Sequence, residues 1–168
     1  MKEKKKIAKE QVSKDLFKTP TWLENNLVVI FIYLVLSLIF FHKILSASKM
    51  VFGTDFLAGA YMSRDFFKTH LAEFHQIPMW IPYLYGGIPL YANVGDLYYP
   101  ISWFLRLLFP VHVYTAYLYI IQVWLAGVFT YFFLKQLKLS FWPRLLGGIS
   151  YMFTGILVSL VYAGHEGR

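Results

Sequence analysis

The chain contains no cysteine, which excludes disulfide bonds, thiol nucleophiles and thiolate metal sites. Acidic side chains are also scarce, nine against sixteen Lys and Arg in 168 residues, and none of either sign falls between Leu27 and Phe41. No Walker loop, dinucleotide-binding fingerprint, HExxH or GxSxG is present, so the common soluble-enzyme motifs are missing. Internal repeats are absent, and the only biased tract is a lysine-rich start. What remains is 58% hydrophobic and 20% aromatic, a composition suited to a bilayer rather than to a soluble globular class.

A net charge of +7 raises the question of nucleic acid, but seven of the sixteen basic residues lie in the first eighteen positions. A lysine tail directly before an apolar segment is a topology signal, and no aromatic-basic platform follows it, so no nucleic-acid partner is expected. Residues 1–22 are expected to form a cytoplasmic tail lying against anionic lipid headgroups. Thr21-Trp22-Leu23-Glu24 has capping-box spacing and predicts a helix start there. The first transmembrane helix is placed at 23–46, with His42 and Lys43 reaching outward to the interface. A cleaved leader is the competing account, because Leu45-Ser46-Ala47-Ser48 offers small residues; the polar leader is too long for it and the apolar run is long enough to span.

With the lysines inside, residues 47–110 form an extracytoplasmic loop. Within it, Tyr61 to Gln76 puts Met62, Phe66, Phe67, Leu71 and Phe74 on one helical face and Arg64, Asp65, Lys68, Thr69 and Gln76 mainly on the other, the pattern of an interfacial helix. Pro78, Pro82, Gly86, Gly87 and Pro89 break the segment that follows. Ile101 to Phe109 predicts a short helix stopped near Pro110. A second transmembrane helix is placed at 111–134 and a basic cytoplasmic loop at 135–144, where Ser140 caps the next helix and Pro143 sits in its first turn. The third transmembrane helix is placed at 145–162; it carries Gly147, Gly148, Gly155 and Ser159, the last two in small-xxx-small spacing, for close helix approach, and residues 163–168 emerge outside. The expected fold class is an all-α polytopic membrane protein with three transmembrane helices, the N-terminus inside, in a bacterial cytoplasmic membrane.

The order of short motifs adds a resemblance. Gly53-Thr54-Asp55, the run Ile77-Pro78-Met79-Trp80-Ile81-Pro82-Tyr83-Leu84-Tyr85-Gly86-Gly87-Ile88-Pro89-Leu90-Tyr91-Ala92-Asn93, then Gly95-Asp96, Tyr98-Tyr99-Pro100, Tyr151-Met152-Phe153-Thr154-Gly155 and Ala163-Gly164-His165-Glu166-Gly167 follow one another. In that order they resemble the N-terminal part of the YfhO-type bacterial membrane proteins, of the GT-C class of polytopic glycosyltransferases. The resemblance runs over residues 25–168. It implies a longer chain, with downstream helices that would complete the site, and a GT-C-like N-terminal portion here.

The resemblance further implies a donor of polyprenyl-phosphate sugar and a cell-envelope acceptor on the outer face, with membrane lipid as the other partner. Transfer to a hydroxyl needs a carboxylate base and groups that hold the departing phosphate. Asp55 matches the acidic position of the class, as base or as the carboxylate that orients a possible divalent metal; Thr54 or Asp55 capping the interfacial helix is the alternative. Arg64, His165 and Arg168 are candidates for the phosphate, and Glu166 emerges beside His165. Trp80 and Tyr83 are candidates for stacking on sugar, with anchoring in the headgroup layer as the other role. Asp65 and Asp96 are weaker candidates, and His70 and His75, five apart, point to different sides of a helix. Beside the transferase stand two alternatives: a non-catalytic membrane protein that binds or helps move a lipid-linked precursor or scaffolds a partner, and a fragment inactive by itself.

Overall fold

A computed structural model describes residues 20–46, 48–50, 53–90 and 99–163. The first helix, α1, spans Asn26–Phe40. It starts at Asn25, whose side chain accepts from the Leu27 amide at 3.0 Å, and not at the predicted Thr21 capping box. Residues 21–24 are instead a turn, closed by Leu23 N–H donating to the Pro20 carbonyl at 3.0 Å. Both Thr and Asn can cap, and the one next to the uninterrupted apolar run took the role. At the other end the Phe41 amide closes on Ser37 and a single 3₁₀ turn, His42–Ile44, follows. Fifteen α-helical residues reach only about 22 Å at about 1.5 Å per residue, less than the predicted 23–46 span.

The outer-loop helix α2 covers Tyr61–Phe74 and is entered through a π turn, Phe56–Ala60. It ends where His75 turns left-handed and its amide bonds back to Leu71. Two short strands, β1 at Trp80–Ile81 and β2 at Ile88–Pro89, pair antiparallel in the proline-broken stretch. Helix α3, Pro100–Leu108, begins with proline in its first turn, where no amide is needed, and stops before Pro110.

Helix α4, Val111–Gln136, is the one helix among the described residues long and apolar enough to cross a membrane, about 39 Å for its 26 residues. It runs antiparallel to α1. Lys135 donates to Asn26 Oδ1 at 2.9 Å, Trp124 Nε1 to the Ile30 carbonyl at 3.0 Å and Ser37 Oγ to the Ile120 carbonyl at 2.9 Å. Helix α5, Phe141–Met152, folds back on α4 through a turn in which Lys138 is left-handed. Ser140 stands at its N-cap position, without a side-chain hydrogen bond, and Pro143 lies in the first turn.

The predicted third span is not one helix. It breaks at Phe153-Thr154, and α6, Gly155–Ala163, starts afresh from the Thr154 carbonyl. Thr followed by Gly is a chain start, not a chain interior, in helix terms. Close approach falls at Gly147 and Gly148 of the predicted span and not at Gly155. A side chain at Gly155 would meet nothing, whereas one at Gly127 would collide with Met152 and one at Gly148 with Tyr33. The described chain is thus mostly helical, with a core of α1, α4 and α5 and a second layer of α2, α3 and the hairpin beside the start of α4.

Candidate functional site

Helix α2 carries opposite chemistries on its two sides because its apolar and polar residues follow the 3.6-residue period. Phe66, Phe67 and Leu71 pack with Ile81, Leu84, Ile88 and Leu90 of the hairpin and with Trp103 of α3. Asp65, Thr69 and Glu73, at successive four-residue steps, fall on the other side together with Lys68 and Tyr61. That polar side faces the corner between α3 and α4, and the space between them is an open cavity of about 610 Å³ lined also by Pro110, Val111 and His112. The size is within the range of small-molecule sites.

One wall of the cavity is fixed by a hydrogen bond. Lys68 Nζ donates to the carbonyl of Phe109, the last residue before the proline that starts α4. The ammonium therefore ties α2 to the α3–α4 corner, and the Asp65 and Glu73 carboxylates line the same cavity. Two carboxylates against one ammonium, with the Thr69 and Tyr61 hydroxyls and the His112 imidazole, make a lining that matches hydroxyl groups better than it matches a phosphate.

Of the described residues predicted for the site, the weaker candidate Asp65 lines this cavity and Asp55, Arg64, Trp80 and Tyr83 do not. Asp55 is exposed ahead of the π turn, where it accepts from the Thr54 hydroxyl at 3.5 Å, and it makes no side-chain cap to that turn. Arg64, expected on the polar face of α2, is buried, its guanidinium over the Phe56 ring at 5.5 Å. Trp80 and Tyr83 sit on the hairpin, Tyr83 edge-on to Phe66 at 5.6 Å between ring centres. His165, Glu166 and Arg168 lie outside the described residues, as does Asp96. His70 is sandwiched between Phe66 and Phe74 on α2, and His75 ends that helix. Among the described residues no three His, Asp or Glu side chains come together as a metal site.

Sequence reasoning missed Arg106. It is 2% exposed, with its guanidinium over Phe67 at 4.5 Å and over Trp103 and Tyr114 at 5.6 Å each. The available signal was its isolation, since it is the one Lys, Arg, Asp or Glu between Leu97 and Leu134. A lone charge in such a stretch has to be turned inward and given partners. Compared with known proteins, the chain matches no family model, no curated protein and no solved structure.

Proposed function

We propose that this chain is the N-terminal part of a polytopic membrane glycosyltransferase of GT-C-like, YfhO type, which moves a sugar from a polyprenyl-phosphate donor to a cell-envelope acceptor on the outer face. The membrane half of this reading is carried by an inversion of polarity. Helix α3 buries Ser102 and Arg106 and leaves Phe104, Leu107 and Leu108 exposed. Helix α1 buries Ser37 and Tyr33 and exposes Leu27, Phe31 and Ile39. Water favours the reverse arrangement, whereas hydrocarbon favours this one. The reading has α1, α4 and the α5–α6 pair crossing the bilayer, with the N-terminus inside.

The chemical half is supported by the carboxylate-bearing cavity at the first turn of α4, where an apolar helix would meet the outer surface. The acceptor hydroxyl would lose its proton to a carboxylate as its oxygen bonds to the anomeric carbon, and the bond from that carbon to the phosphate oxygen would break. Two carboxylates compete for the role. Asp65 lines the cavity, and Asp55 is the one the resemblance indicates. The phosphate-holding groups His165 and Arg168, with Glu166 beside them, belong to the proposal through the resemblance.

The test is sugar incorporation into envelope polymer by the full-length protein carrying Asp55→Asn or Asp65→Asn. Loss of a general base lowers the rate by about 10² to 10⁴, so the variant that falls this far at unchanged protein level identifies the base. Full incorporation by both variants overturns the transferase and leaves the precursor-binding alternative.

A further inference from the structure

Ile77 to Leu90 is fourteen residues without a charged side chain, in a loop whose preceding helix is rich in charge. The segment is nonetheless built. Trp80 pairs with Pro89 and Ile81 with Ile88, the Leu90 amide donates to the Met79 carbonyl at 3.0 Å, and the Gly87 amide closes on the Leu84 carbonyl at 2.7 Å. Ile81 and Leu90 point inward onto Phe67. Ile77, Met79, Trp80, Tyr83 and Tyr85 point outward.

The outward set is held in place rather than left loose. Gly87, at φ 116°, leaves room that the Trp80 indole fills, so the indole rests on backbone at Gly87 while the side chain stays half exposed. Tyr85 is 95% exposed and sits at φ 50°, a left-handed conformation that is unfavourable for a bulky residue. A turn that displays an aromatic ring in this way needs something outside the chain to receive it.

We propose that this hairpin docks into the headgroup boundary of the bilayer, with Met79, Trp80, Tyr83 and Tyr85 as the inserted groups. The proposal rests on the membrane half of the function above and not on sugar transfer. Its chemistry chooses lipid. Tyr and Trp combine an apolar ring with one polar edge, the combination that suits the water–hydrocarbon boundary, and the tip carries no amide or carboxylate side chain with which to read a sugar or a polar protein face. Continuity chooses it as well. Trp103 ties the hairpin to α3, whose exposed Phe104, Leu107 and Leu108 lead directly to the start of α4. The absence of basic groups on the tip makes docking independent of lipid charge.

The cysteine-free chain allows single labels. Tyr85→Cys and Met79→Cys, each carrying an environment-sensitive fluorophore, are compared in phosphatidylcholine nanodiscs with Glu73→Cys on the polar side of α2 and Phe133→Cys on the exposed side of α4. Docking predicts quenching of the two hairpin probes by lipid spin-labelled near the headgroup, and iodide quenching several-fold weaker than at Glu73→Cys, unchanged when phosphatidylglycerol replaces part of the lipid. Hairpin probes as open to iodide as the Glu73→Cys probe, beside a lipid-quenched Phe133→Cys probe, overturn docking alone and are the result expected of a glycan-stacking surface. Docking confined to anionic membranes also overturns it, and a Phe133→Cys probe untouched by lipid quenchers removes the membrane reading together with the docking.

Discussion

The Tyr33 hydroxyl occupies the place that a side chain at Gly148 would need, and from there it donates to the Leu145 carbonyl at 3.1 Å. The Gly127 carbonyl is 3.0 Å from the same point, so Tyr33 of α1 fills a place where α4 and α5 each present a glycine. Gly148→Ala is therefore expected to lower stability by about 1–3 kcal/mol, the range for overpacking. Thermal unfolding in detergent checks it. Gly155→Ala, where nothing is near, should stay within about 0.5 kcal/mol of the wild type. Adding Tyr33→Phe to Gly148→Ala should recover part of the loss, because removing the hydroxyl frees the space.

The start of α1 is set by Asn25 and not by the Thr21–Glu24 pair. Asn25→Ala should cost about 1 kcal/mol, as for other N-caps, while Thr21→Ala leaves stability unchanged. Equal losses in denaturation midpoints would mean that the capping box forms after all.

Arg106 holds α3 to α2 and α4 by lying across three rings. A planar guanidinium stacks where an ammonium cannot, and a desolvated cation–π contact is worth about 2 kcal/mol. Arg106→Lys keeps the charge and should still loosen the loop layer, seen as faster trypsin cleavage around Arg64 and Lys68. Cleavage at the wild-type rate would show that charge alone is what the position requires.

Much of the helical scaffold was legible because each long element has a local cause. Apolar runs gave α1 and α4, the amphipathic period gave α2, and Pro110 marked the end of α3. The break at Phe153-Thr154 was not legible, since apolar residues continue on both sides of it and only the Thr-Gly pair marks it. The inward turn of Arg64 and Arg106 was missed because helical period alone assigns charge to the outside, which is the wrong rule where the outside is lipid. The cavity could not be found from one helix. Asp65, Lys68 and Thr69 were correctly placed on the polar face of α2, but the opposite wall comes from Pro110 to His112, some forty residues later in the chain.

Gly86 and Gly87 look interchangeable in the sequence and are not in the fold. Both are at positive φ, but only at Gly87 would an added carbon also strike the Trp80 indole. Gly86→Ala should cost about 1 kcal/mol through backbone conformation alone. Gly87→Ala should cost more and displace the indole, observed as a change in near-ultraviolet circular dichroism that Gly86→Ala lacks.

The polarity inversion makes a prediction whose size depends on the solvent. Phe129 lies about two turns before the end of α4 and is exposed, so in water Phe129→Asp would be a surface change worth within about 0.5 kcal/mol. In a bilayer the same carboxylate lies inside a spanning helix, at a cost that approaches the about 2.5–3.5 kcal/mol that insertion scales give for the helix centre. Phe133, one turn further along the same face and closer to Lys135, should be more forgiving, because a charge near a helix end can reach the interface. Glycosylation-mapped insertion of the two variants therefore separates them. Membrane integration should fall sharply for Phe129→Asp and less for Phe133→Asp, and two variants that integrate and express like the wild type would mean that this face of α4 never meets lipid.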